Sequence, residues 1–195
     1  MIITISGLPG SGKSTVSKIL AERLGFGRYS SGDFVRQLAQ ESGQDILTFY
    51  KNAENNPEID YKIDQRQKQL GREKDNFVMD GRLSFFFIQH AVKVFLDVSL
   101  DVAAFRIFNA KRKGETLYKD VKHARKEISE RIENEVKRYN LLYGLNYTDK
   151  EHYDLIVDTT NLTPEQIVAK IINFLNCIDR DFNNLGGKNG KNYYK

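Results

Sequence analysis

The feature that constrains this chain most is a glycine-rich segment that begins at its seventh residue, GLPGSGKS at 7–14. It matches the pattern G-x-x-x-x-G-K-[ST]. An apolar run at residues 1–6 predicts a strand before it, and residues 14–24 carry apolar side chains at helical spacing after it. In that setting the turn wraps an anion with backbone N–H groups, and the positive end of the following helix adds attraction. The sequence therefore predicts a phosphate-binding loop.

This loop predicts ATP as a phosphoryl donor. We expect Lys13 to bridge the β- and γ-phosphates and the Ser14 hydroxyl to ligate Mg²⁺. A glycine-rich turn without a ligand is the alternative, but a lysine followed by serine has no packing purpose there. The guanine-reading pattern Asn-Lys-x-Asp is absent from the chain, which argues against a GTPase. The predicted nucleotide-contacting residues of the loop are Gly7, Leu8, Pro9, Gly10, Ser11, Gly12, Lys13, Ser14 and Thr15.

Length and composition favour one soluble domain. The 195 residues are 40% hydrophobic, enough for one substantial core, and no apolar run approaches the roughly 20 residues of a membrane helix. The only cysteine, Cys177, excludes an intrachain disulfide and is compatible with a reducing compartment. We therefore predict a cytoplasmic monomer with a single domain over residues 1–181. Residues 182–195, rich in Asn, Gly and Lys, are predicted to form a basic, disordered tail.

The net charge of +4 is unevenly distributed. Residues 106–138 carry 11 positive and 6 negative side chains, whereas residues 1–105 carry 13 of each. A nucleic-acid binder usually presents a broader basic face, so a compact basic segment favours a small polyanion. We expect small-molecule nucleotides as partners, and neither a nucleic acid nor a membrane.

Short apolar runs recur along the chain and predict further strands. Three of them, at 76–80, 92–98 and 153–158, end in or near a carboxylate, and 26–30 is a weaker candidate. Helical stretches separate these runs, so the strands should be parallel and covered on both faces. The predicted fold class is α/β, a three-layer sandwich around a five-stranded parallel sheet.

The helical stretches beyond the first helix fall into three groups. An insertion follows the second strand, a densely charged helix or pair of helices precedes the last strand, and one helix follows that strand. Thr163 and Gln166 have the form of a capping box with Pro164 in the first turn, so the last helix should begin there. The predicted ranges are 34–41, 45–55, 59–72, 117–145 and about 163–178.

Two arginine-containing segments indicate a second binding site beside the loop. Asp33 and Arg36 stand three residues apart at a helix start, and Asp80 and Arg82 end the next strand. Open parallel sheets bind ligands outside the carboxyl ends of their strands, so both arginines should approach one site. Two planar bidentate donors suit a second phosphate. Taken singly, each arginine could equally serve in a surface salt bridge.

In combination, these motifs resemble the nucleoside monophosphate kinase family, whose members have the P-loop NTPase fold and include adenylate kinase. The resemblance rests on the glycine-rich loop, on Ser31-Gly32-Asp33 with Arg36, and on Asp80-Gly81-Arg82. It is closer still to the short archaeal-type cytidylate kinases, and extends from residue 1 to about 178. The segments that carry this closer similarity are 55–60 (NNPEID), 63–66 (IDQR), 131–139 and 153–159 (YDLIVDT).

The resemblance implies a donor and an acceptor that meet under a mobile lid. The lid and its following helix would span about 106–145, and the acceptor-binding insertion about 31–72. Phosphoryl transfer needs alignment and charge neutralisation, so Arg112 would meet the transferring phosphate while Arg106 would pack on adenine. For the helical arginines, a solvent-exposed charged face is the alternative. The predicted catalytic residues are Lys13, Arg36, Arg82, Arg112, Arg131 and Arg138.

Magnesium is the predicted metal. We expect Ser14 to ligate it and Asp33 and Asp80 to hold it through water, since this ion keeps much of its hydration shell. No catalytic base is required, because an acceptor phosphate is already ionised at neutral pH.

The predicted readers of the acceptor base are Asp60, Asp64 and Arg66. Cytosine presents an amino donor beside two acceptors, so its edge pairs with a carboxylate next to a guanidinium. Solvated charges on an amphipathic helix are the alternative. The full predicted acceptor-binding set is Asp33, Arg36, Asp60, Asp64, Arg66 and Arg82.

The sequence thus predicts an enzyme that transfers the γ-phosphoryl group of ATP to a nucleoside monophosphate, with CMP or dCMP as the first choice. Adenylate, uridylate or dephospho-coenzyme A phosphorylation remain alternatives within this class. A nucleotide-gated RNA-binding module is the alternative outside it.

Overall fold

The computed structural model describes residues 1–44, 49, 57–110 and 118–184, which form a sheet of five short strands with helices on both faces. The strands are β1 (Ile2–Gly7), β2 (Gly27–Ser30), β3 (Phe77–Asp80), β4 (Val92–Asp97) and β5 (Leu155–Asp158). The helices are α1 (Lys13–Leu24), α2 (Ser31–Glu41), α3 (Pro57–Glu73), α4 (Ser84–Phe87), α5 (Leu100–Ala110), α6 (Val121–Tyr143) and α7 (Pro164–Asn184), with a 3₁₀ turn at Lys150–His152.

All five strands run parallel, in the order β2-β3-β1-β4-β5. In this register Ile5 of β1 lies beside Asp80 of β3 on one side and Val94 of β4 on the other. Parallel neighbours place their carboxyl ends at one edge of the sheet, where open α/β folds bind ligands. The loop after β1 and the end of β3 therefore meet at that edge. The predicted α/β sandwich with a five-stranded parallel sheet is confirmed.

Alternation along β1 divides the core into two layers. Ile3 and Ile5 are fully buried and belong to the cluster that packs under α1 and α7. Ile2 points to the opposite face and packs with Phe34 of α2 and Leu70 of α3. This two-residue period is what a strand covered on both faces requires. The layer formed by α2 and α3 carries the predicted acceptor-side residues.

Helix ends follow the local capping signals. At α7, the Gln166 amide donates to Thr163 Oγ1 at 3.3 Å and the Thr163 amide donates to Gln166 Oε1 at 2.9 Å, which confirms the predicted capping box. At α6, Asp120 accepts from the His123 amide at 2.7 Å, and the helix ends at Gly144 with a φ of 65°. The charged segment predicted as one helix or two is therefore a single helix.

Some predicted ranges differ from the structure. The helix predicted at 45–55 lies outside the described residues except for residue 49, and α7 continues to Asn184 instead of ending near 178. Its last turn thus enters the segment predicted as a tail, of which residues 185–195 also lie outside the described part. Periodicity did not single out α4 or α5. None of the helices in the described ranges has the length and apolarity that a bilayer crossing requires.

Candidate nucleotide-binding site

The glycine-rich loop is fixed from behind by β4 and α5. Gly7 has a φ of 143°, and a Cβ atom there would lie 2.2 Å from the Leu96 carbonyl oxygen. At Gly10, with a φ of 76°, a Cβ would lie 2.8 Å from Ala103 Cα. Glycine is therefore required at both positions for steric reasons as well as for the backbone conformation. Backbone neighbours in β4 and α5 thus fix the shape of the loop.

The open side of the loop has room for an anion. Gly12 has a φ of 89°, and a Cβ there would meet nothing within 4 Å. The Ser11 hydroxyl is buried and, among the described residues, has no hydrogen-bond partner. A buried polar group without a partner is costly unless a ligand or water satisfies it. The cradle is thus shaped for a polar ligand next to the N-terminus of α1.

Lys13 points back into this cradle. Its Nζ donates to the carbonyl oxygens of Gly7 at 3.0 Å and Leu8 at 2.8 Å. Its pKa is lowered to about 7, chiefly by burial and also by the nearby Arg82 guanidinium, while the Asp80 carboxylate opposes both effects. The Lys13 ammonium and the Arg82 guanidinium are two positive groups close together and partly buried, which indicates a binding site for an anion.

The loop and the end of β3 meet through Ser14 and Asp80. The Ser14 hydroxyl donates to Asp80 Oδ2 at 2.7 Å, and the Asp80 side chain is buried. The structure therefore brings together two of the three predicted magnesium ligands. The third, Asp33, is paired with Arg36 at the start of α2, where the Asp33 amide also donates to Ser30 Oγ at 3.2 Å.

A glutamate on α6 that sequence reasoning missed organises two predicted catalytic arginines. Glu135 lies 2.6 Å from Arg82 Nε and accepts from Arg131 Nε at 3.0 Å. Tyr147 Oη donates to the same carboxylate at 3.0 Å. Burial lowers the pKa of Arg82, but Glu135 together with Tyr139 and Tyr147 outweighs this effect, and the net pKa is raised. The Arg131–Glu135 spacing of four residues was the available signal, although it also fits an ordinary surface pair.

Two predicted base-reading carboxylates on α3 face the C-terminal half of α6. Asp60 forms an ion pair with Arg138, and Asp64 accepts from Tyr143 Oη at 2.6 Å. The pKa of Asp64 is raised to about 6, chiefly by burial; the Tyr143 hydroxyl partly opposes the rise, and the Asp60 carboxylate contributes to it. These four side chains link the acceptor-side insertion to the lid-side helix.

Arg66 does not join this group. It donates to both carboxylate oxygens of Glu41, at 2.7 and 2.9 Å, and to Gln37 at 3.3 Å, so it faces α2. Asp64 and Arg66 are two residues apart on α3 and therefore lie on different helix faces.

Arg106 bridges the loop and the end of β5. Its guanidinium donates to the Gly10 carbonyl at 3.4 Å, to the Thr159 carbonyl at 2.8 Å and to the Thr159 hydroxyl at 3.3 Å. Its predicted contact with adenine stays a prediction. Arg112, the predicted lid tip, lies outside the described residues.

Comparison with known proteins agrees with this geometry. Residues 2–161 match the model of the cytidylate kinase-like family. A cytidylate kinase of Methanothermobacter thermautotrophicus is 42% identical over 165 residues, covering 85% of this chain and 99% of that protein. One of Archaeoglobus fulgidus is 42% identical over 173 residues, covering 88% and 93%.

Solved structures show the same fold at low sequence identity. Shikimate kinase from Aquifex aeolicus has a TM-score of 0.59 at 22% identity, covering 96% of this chain and 100% of that chain. An uncharacterized protein from Eubacterium ventriosum has a TM-score of 0.68 at 19% identity, covering 90% and 98%. These likenesses carry the fold alone, an α/β P-loop NTPase. From its sequence match, the chain belongs to the cytidylate kinase-like family.

Proposed function

We propose that this chain is an ATP-dependent kinase that transfers the γ-phosphoryl group of ATP to CMP or dCMP, giving ADP and the diphosphate. The observation that carries the proposal is the 42% identity to cytidylate kinases across most of the chain. The glycine-rich loop supports it from the chemistry of the site, since the loop offers a cradle for phosphates beside Lys13. A cytoplasmic location is part of the proposal, because the single cysteine, Cys177, is compatible with a reducing compartment.

On the donor side, Lys13 is the residue that would neutralise the β- and γ-phosphates. In the free enzyme its ammonium group is bound to two loop carbonyls, so it is already inside the cradle. Arg106 contacts both the loop and the end of β5, which supports a role for it beside the nucleoside of ATP. Positioning and charge neutralisation are the main contributions that a protein makes to this reaction.

On the acceptor side, carboxylates hold the predicted phosphate-binding arginines in place. Arg36 pairs with Asp33, and both Arg82 and Arg131 contact Glu135. A phosphate dianion can replace such a partner because guanidinium groups bind phosphate oxygens in the same bidentate manner. The arginines are thus already oriented before the substrate binds, which lowers the cost of ordering them.

Magnesium fits the residues that the structure provides. The Ser14 hydroxyl and the Asp80 carboxylate are hard oxygen ligands in direct contact at 2.7 Å, and Asp33 lies on the neighbouring element. Within the described ranges, no three His, Cys, Asp or Glu side chains form a protein-only metal cage. That suits an ion that keeps several waters and takes phosphate oxygens from ATP. When bound, it would neutralise charge on the β- and γ-phosphates.

The acceptor base would be read by Asp60 and Asp64. Both carboxylates lie at the interface of α3 and α6, beside the aromatic side chain of Tyr143. A carboxylate accepts a hydrogen bond from the N4 amino group of cytosine, but it opposes the O4 carbonyl of uracil. This pairing supports cytosine over uracil as the preferred base.

A panel of acceptors tests the proposal. ADP release from ATP is measured in a coupled assay with CMP, dCMP, UMP, AMP, dephospho-coenzyme A and shikimate at equal concentrations. We expect kcat/KM to be highest with CMP or dCMP, and about tenfold to a hundredfold lower with UMP. Preferred turnover of a different acceptor would replace the substrate assignment, and no turnover with any of them would refute a kinase of small acceptors.

A further inference from the structure

Arg28 lies between the two carboxylates assigned to magnesium. It is on β2, one strand away from the end of β3, and its terminal nitrogens are 3.5 Å from Asp33 Oδ2 and 3.6 Å from Asp80 Oδ2. Neither the motifs in the sequence nor the mechanism described above gives it a role. One guanidinium thus connects the start of α2 with the end of β3.

The guanidinium is anchored by α1. Arg28 Nε donates to Ser17 Oγ at 3.1 Å, and the fully buried Ser17 hydroxyl donates to the Ser14 carbonyl at 3.1 Å. The Arg28 side chain is only 30% exposed. A planar group with one edge fixed and the other directed at two carboxylates has little freedom to swing into solvent. Arg28 is therefore a fixed positive charge next to the predicted metal ligands.

A fixed charge in this place has opposite effects on the free and the metal-bound site. Without a cation, it compensates the mutual repulsion of Asp33 and Asp80 and keeps both aligned. With a divalent cation, it repels the ion, so the carboxylates alone bind metal weakly. ATP supplies several additional negative charges and phosphate oxygens, which outweigh that repulsion.

We propose that Arg28 is a positioning residue that aligns Asp33 and Asp80 in the free enzyme and keeps the metal affinity of the nucleotide-free site low, so that Mg²⁺ enters together with ATP. The proposal rests on the assignment of these carboxylates to the metal under the proposed function. It adds a residue that does not touch the reacting atoms but determines in what order the metal and the nucleotide occupy the site.

The test measures Mn²⁺ binding to nucleotide-free protein, with the free ion followed by electron paramagnetic resonance. Arg28→Gln removes the charge and keeps a hydrogen-bonding side chain, and Arg28→Met keeps the aliphatic stem. We expect both to bind Mn²⁺ about tenfold more tightly than the unmodified protein. Arg28→Lys keeps a positive charge and should stay near the unmodified value. Arg23→Gln, a matched loss of one exposed arginine on α1, is the control and should also leave binding unchanged.

Two results would overturn the inference. The first is Mn²⁺ affinity in Arg28→Gln and Arg28→Met equal to that of the unmodified protein. The second is an equal gain in Arg23→Gln, which would make the effect one of net charge. The double variant Arg28→Gln/Asp80→Asn distinguishes failure of this inference from failure of the proposed function. In it, the tighter Mn²⁺ binding expected of Arg28→Gln should disappear. If it persists, the metal assignment of Asp80 fails, whereas the acceptor panel still decides whether the chain is a cytidylate kinase.

Discussion

Replacing Asp64 by asparagine should stabilise the free protein and at the same time weaken its preference for CMP. Asp64 is 8% exposed, and burial raises its pKa from 3.8 to about 6. Because the pKa is higher in the folded than in the unfolded state, protonation of Asp64 favours folding. This contribution to stability is complete below about pH 4 and is lost as the pH rises through about 6. At pH 8 the ionised side chain costs about 3 kcal/mol, and at pH 4.5 about a third of that.

Asparagine removes the charge but keeps an oxygen that can accept from Tyr143 Oη. For a chain of this length, 1 kcal/mol shifts Tm by about 2–4 °C. Scanning calorimetry on nucleotide-free Asp64→Asn should thus give a Tm about 6–12 °C above that of the unmodified protein at pH 8, and about a third of that gain at pH 4.5. In the coupled assay, the ratio of kcat/KM for CMP to that for UMP should fall, because the N4 amino group loses its carboxylate acceptor.

Glu73→Gln is the matched control, since Glu73 is exposed on the same helix and carries the same charge. It should change Tm by less than about 2 °C at either pH. The reasoning is refuted if Asp64→Asn is no more stable than the unmodified protein at pH 8, or if it gains equally at both pH values. If Asp64→Asn is more stable but the ratio of kcat/KM for CMP to that for UMP is unchanged, the argument about the cost of ionising Asp64 would stand. Its assignment to base recognition would then be wrong.

Three further outcomes are expected. Lys13→Ala should lower phosphoryl transfer about 10³-fold or more in the coupled assay with its thermal melt unchanged; retention of more than a tenth of the rate would contradict the role of the loop. Hydrogen exchange over residues 106–138 should slow when a bisubstrate analogue binds, because closure must exclude water, and equal protection with and without it would argue against a lid there. Arg36→Ala should raise KM for every monophosphate by a similar factor; a loss confined to CMP would place Arg36 at the base instead of the phosphate.

Features that depend on neighbouring residues in the chain could be predicted from the sequence. The loop ending in Lys13 and Ser14 depends on glycines a few positions away, and the capping box of Thr163 and Gln166 spans one helical turn. Strand positions also followed, because apolar runs between helices admit few arrangements other than a parallel sheet. Ser14 and Asp80 meet because the sheet register brings the ends of β1 and β3 together.

Side-chain contacts between residues on different helices or strands could not be predicted in this way. Arg66 was expected to read the base with Asp60 and Asp64 because cytosine pairs with a carboxylate next to a guanidinium, but the packing of α3 on α2 turns it toward Glu41. Glu135 was missed because nothing local shows that Arg82 reaches it from the end of β3. Arg28 was missed because it lies on a weak strand without a motif. Each of these contacts depends on the distance between elements, which periodicity does not contain.

The central position of β1 has a consequence for how the chain must fold during synthesis. β1 leaves the ribosome before both of its strand neighbours, which are residues 77–80 and 92–97. At about 5–20 residues per second, its apolar Ile2, Ile3 and Ile5 stay without strand partners for several seconds. Contacts this distant in sequence form slowly. We therefore expect the nascent β1 segment to depend on chaperones, and truncations that end before β4 to aggregate.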